Sequence, residues 1–137
     1  MLQADSRTFE SMAKSILNLD SRIFSTIVVR IPGGAVLAEA VRPEMRYNFG
    51  LLSQRTDGMA GKWMILAFSA MERIEKAKWK SKYVVVGREN HNGMVFPAEV
   101  LGESVMIGLK TELKTESSEI YDLIMQLIEE NIRTREN

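Results

Sequence analysis

The chain has 137 residues, 18 basic and 18 acidic side chains, and no cysteine. This length suits one domain with one core. The balanced charge lacks the broad positive field that draws nucleic acid or an anionic membrane, and the missing thiols exclude disulfides, thiolate zinc sites, iron–sulfur clusters and cysteine nucleophiles. At 45% hydrophobic and 26% charged residues the composition is that of an ordinary globular protein, so packing alone must stabilise a single domain over residues 1–137.

The opening segment, Met1 to Arg7, lacks the apolar stretch of a signal peptide, and no later run nears the roughly 20 apolar residues that span a bilayer. The expected compartment is the cytoplasm, with no membrane association. From Ser6 to Leu17, Phe9, Met12, Ala13, Ile16 and Leu17 recur at helical spacing, and Asp5 or Ser6 can cap the free amides. The β-branched and aromatic run Ile23 to Ile31 is a predicted strand, turned by Pro32-Gly33-Gly34 into a second over Ala35 to Glu39. Arg42 to Asp57 carries Pro43, Gly50 and scattered charge without a sustained period and reads as a long connection, with a helical turn near Phe49 to Leu52.

A second helix is predicted from about Gly58 to Lys78, with Thr56 or Asp57 as cap. Met59, Trp63, Leu66, Ala67, Ala70 and Ile74 form one stripe, which Met64, Phe68 and Met71 widen. Strands follow over Lys82 to Gly87, Met94 to Phe96 and Ser104 to Leu109, the first two linked through Arg88 to Gly93, whose Asn-Gly pair tolerates the positive φ of a hairpin turn. A last helix over about Ser118 to Arg133 aligns Ile120, Leu123, Ile124, Leu127, Ile128 and Ile132. The expected fold is α+β: an antiparallel five-stranded sheet with helices, in the order α-β-β-α-β-β-β-α.

No catalytic set can be assembled. The single histidine, His91, sits beside Asn92-Gly93 at the predicted hairpin tip, where a base lacks the buried neighbours that would orient it. Glu112, Glu116 and Glu119 are interleaved with Lys110 and Lys114, which reads as solvated surface and not as a metal site. Pro32-Gly33-Gly34 leads into a strand, whereas a phosphate-cradling loop must lead into a helix. No cofactor is expected. Lys76, Lys78, Lys80 and Lys82, interleaved with Trp79 and Tyr83, form a possible basic contact patch. Lysines also complement a helix carboxyl end and discourage edge pairing, and with zero net charge nucleic-acid binding is the disfavoured reading.

The second predicted helix carries the strongest contact signal. Its small residues Ala60, Gly61, Ala67 and Ala70 permit close approach beside the large Trp63, Phe68 and Met71, and its apolar arc is wider than one sheet face requires. A buried helix in a packed monomer is the competing explanation.

This element order, with the hairpin from Ile23 to Ala40, the long link, the second helix and the strands from Tyr83 to Leu109, resembles the Roadblock (dynein light-chain-like) proteins and their longin and profilin-like relatives. Leu51-Leu52-Ser53 and the run from Tyr83-Val84-Val85-Val86 to Val95-Phe96-Pro97 also resemble an uncharacterised archaeal family of this build. The resemblance implies a non-enzymatic homodimer, paired through the second helix and the strand after it, that serves as a platform for small GTPases or other assemblies. Carried onto this chain, the interface would include Met59, Trp63, Ala67, Ala70, Ile74, Tyr83 and Val85. The lysines around Tyr83 depart from an unhindered pairing edge. The alternative function is a small-molecule sensor resembling PAS or GAF domains, with Tyr47 and Phe49 on a lid over the ligand.

Overall fold

A computed structural model describes residues 6–31, 33–45, 64, 66, 69, 73 and 82–136. A first helix (Ser6–Leu17) leads into β1 (Ile23–Arg30) and β2 (Val36–Val41), followed by one 3-10 turn (Pro43–Met45). Met64, Leu66, Ser69 and Arg73 are each helical, and they are the described residues of the central helical segment referred to below. Then come β3 (Val84–Gly87), β4 (Asn92–Val100), β5 (Glu103–Thr111) and a last helix (Ser117–Glu136). All four strand pairings are antiparallel, in the order β2-β1-β5-β4-β3. The α+β architecture read from the sequence is therefore the observed one.

Side-chain alternation divides the sheet into two faces. One cross-sheet row is Ala40, Thr26, Leu109, Met94 and Val85, and the next contains Ala38, Val28, Ile107 and Phe96. These residues face the first and last helices, which contribute Phe9, Met12, Ala13, Ile16, Ile120, Ile124 and Ile128 to the main core. Burial of each large side chain among them is worth about 1.5–3 kcal/mol. The opposite face carries the row Glu39, Ile27, Gly108, Val95 and Val84. There a smaller cluster of Ile27, Val29, Val95 and Met106 packs with Met64 of the central helical segment.

Two hairpin turns rest on backbone that favours glycine. Between β1 and β2, Gly33 and Gly34 have φ of 102° and 76°, and Gly34 N–H donates to Arg30 O. Between β4 and β5, Leu101 and Gly102 occupy a two-residue turn with φ of 52° and 81°, the pattern of a type I′ turn. A leucine in that conformation is strained, and its half-buried side chain offsets the strain by packing against the main core.

The strands exceed or shift from their predicted limits in one informative place. Asn92 and Gly93 were expected in the β3–β4 turn, yet both belong to β4, with Gly93 paired to Val86 on one side and Lys110 on the other. The turn is Arg88 to His91, closed by Arg88 N–H donating to His91 O at 2.9 Å. Ladder bonds on both sides of β4 override the local preference of Asn-Gly for a turn. Pro97, opposite Met106, lies past the end of the β3 pairing at Val95, so β4 is an edge on that side among the described residues and admits proline.

Candidate functional site

The contact signal predicted on the second helix can be followed through Met64 and Leu66. In an α-helix two positions are separated by about 200°, so these side chains leave on opposite sides. Met64 is 1% exposed and sits on the sheet, whereas Leu66 is 71% exposed, the most exposed large apolar side chain among the described residues. Arg73 is also exposed and Ser69 half-buried. The segment thus packs one side into the domain and carries a large apolar group outward.

Met64 can sit this close because of the strand below it. A Cβ on Gly108 would stand 3.1 Å from Met64 Cε, 3.3 Å from its Sδ and 3.0 Å from Ile27 Cγ2. Gly108 pairs with Ile27 on one side and Val95 on the other, so the glycine makes a dent between two branched side chains. A glycine inside the strand Val105-Met106-Ile107-Gly108-Leu109 was the signal that could have revealed this approach, since glycine weakens a strand unless another group comes near. The sequence reading had placed Met64 in the widened apolar stripe without separating it from Leu66.

Beside this segment in chain order stands β3, a short edge strand paired with β4 on one side and with no described strand on the other. Tyr83 and Val85, predicted in the same interface as the second helix, have their side chains on the other face of the sheet. Val85 shares a row with Met94, and Tyr83 packs against the main core, 5.2 Å from the Tyr121 ring of the last helix. Tyr121 in turn meets Phe96 edge-on at 5.2 Å. Burial and then the charge of Asp122 raise the Tyr121 hydroxyl's pKa, which keeps it neutral. This aromatic ladder ties the edge strand to the last helix and leaves the β3 backbone as the group it can offer outward.

Lys82 is exposed beside Tyr83. Met59, Trp63, Ala67, Ala70, Ile74, Lys76, Lys78 and Lys80 lie outside the described residues, as do Tyr47 and Phe49 of the sensor reading. His91 ends the β3–β4 turn and is half-buried there, with Nδ1 2.7 Å from Asn90 Oδ1. Burial, then the charges of Lys110 and Arg88, hold its pKa below the ordinary 6.5, so the imidazole is neutral at pH 7. Glu119 is engaged by Arg22 at 3.2 Å. Among the described residues no group of three or more His, Cys, Asp or Glu could hold a metal ion, and no helix is long and apolar enough to cross a membrane.

No protein-family model matches the chain, and no curated protein matches its sequence. Solved structures do resemble it. The Roadblock/LC7 domain from Streptomyces avermitilis aligns with a TM-score of 0.61 at 12% identity, covering 93% of this chain and 98% of that one. Myxococcus xanthus MglB aligns with a TM-score of 0.61 at 8% identity, covering 99% and 93%. An MglB with tetrameric arrangement gives 0.57 at 12% identity, covering 95% and 94%. At such identities the likeness concerns architecture alone, and over nearly the whole chain that architecture is Roadblock-like.

Proposed function

We propose that this protein is a non-enzymatic interaction module that forms a homodimer through its central helical segment, with the β3 edge beside it, and presents the paired surface to a partner protein such as a small GTPase. The observation that carries the reading is Leu66, 71% exposed on a segment whose Met64 is buried. A large apolar group held outward by a rigid seat loses contact with water when a second copy covers it, which favours association. The Roadblock-like architecture supports the reading, and so does the tetrameric arrangement of an MglB of similar fold. The GTPase as partner follows only from the resemblance of the chain to Roadblock proteins. Light scattering on the parent, Leu66→Asp and Trp63→Asp tests the first step. A dimer that both variants weaken at least about tenfold is expected. A strict monomer at concentrations on the order of tens of micromolar, unchanged by either substitution, removes the proposal.

A further inference from the structure

The strongest unexplained feature of the second sheet face is the glycine at its centre. Gly108 lies on β5, the middle strand of the sheet, and its flanking partners in the same row are Ile27 and Val95. Both are buried, and the Met64 thioether lies over the gap between them. Any side chain at 108 would meet the Met64 methyl and sulfur and the Ile27 methyl at 3.0–3.3 Å, tighter than ordinary van der Waals contact. Ile27 is β-branched and held in ladders on both sides, so it has little freedom to yield. The strain would fall first on the Met64 thioether, which must give by a few tenths of an ångström.

We propose that Gly108 is the positioning residue of the interaction surface: its missing side chain sets the height at which the Met64 segment seats, and so the position at which Leu66 is presented. This inference rests on the dimer reading above. It goes beyond that reading by assigning a role to a buried strand residue that touches no partner. A seat this small couples the sheet to the surface directly, because Leu66 is only two residues from the side chain that fills the dent. Close-packed interiors transmit a displacement of this kind instead of absorbing it.

The experiment compares Gly108→Ala, Met64→Val and the double variant by sedimentation equilibrium, with thermal denaturation in parallel. Gly108→Ala is expected to raise the dimer dissociation constant about tenfold, and Met64→Val in the same chain to return it to within about threefold of the parent by vacating the space the new methyl needs. A merely structural role would lower Tm without a rescue of association by the smaller partner. If Gly108→Ala does not fold, Met64→Ala carries the test, and weakened association is again the expected result. A dimeric parent whose constant neither substitution changes overturns the assignment of Gly108 alone. A monomeric parent overturns both it and the dimer reading.

Discussion

Arg42 shows how much structural work one side chain can do while reading in the sequence as scattered loop charge. Its guanidinium donates to Leu17 O at 2.6 Å, to Asp20 O at 3.0 Å and, through Nε, to Ile23 O at 3.0 Å. The first of these is a terminal carbonyl of the first helix, where intrahelical partners run out and a cation meets the negative end of the dipole. Arg42→Ala would strand these carbonyls, and urea denaturation is expected to show a loss of about 2–4 kcal/mol. Arg42→Lys should recover less than half, because a point ammonium cannot span the three acceptors as a planar fork does. Thr26 illustrates the converse. Its hydroxyl is buried on the main core face and makes no hydrogen bond among the described residues. Thr26→Val, which keeps the branched shape, is expected to stabilise the protein by about 1 kcal/mol in the same measurement.

At the level of elements, the junction of the first helix, β1 and the last helix depends on a charged link. Arg22 donates to both Asp20 carboxylate oxygens, at 2.9 and 2.8 Å, and to Glu119 in the first turn of the last helix at 3.2 Å. The hydrogen bonds from Arg22 outweigh burial and hold the Asp20 carboxyl below its ordinary value of 3.8. A depressed folded-state pKa contributes stability above the unfolded value and loses it as pH falls through the folded one. Stability is therefore expected to drop as pH goes below about 4, and Arg22→Gln should flatten that acid limb while lowering stability at neutral pH. Denaturation midpoints from pH 2 to 7 check this, and an equally steep acid limb in the variant would assign it to other carboxylates. The elements themselves were legible where a pattern was local: the first helix spans its predicted Ser6 to Leu17, and the glycine turn after β1 lies where it was read. They were not legible where ladders decided, as at Asn92-Gly93, or where a turn used leucine at positive φ, as at Leu101.

For the whole molecule, both faces of the sheet carry packed side chains. The first and last helices seal one face with a large core, while the described side chains on the other centre on Met64, Ile27, Val29, Val95 and Met106. If a second copy covers the exposed Leu66, as proposed, the oligomer and the fold are linked. Thermal midpoints are accordingly expected to rise with protein concentration in the parent and to become concentration-independent in Leu66→Asp, as measured by differential scanning calorimetry. By itself the sequence determined the type and order of the elements, because periods of two and near 3.6 are local properties of consecutive residues. Only the tertiary structure decided the strand order β2-β1-β5-β4-β3, the separation of Met64 from Leu66 and of Tyr83 from the helix it was grouped with, and the dent at Gly108. Each depends on register between strands distant in sequence, and a slip of one residue would exchange the two faces of the sheet.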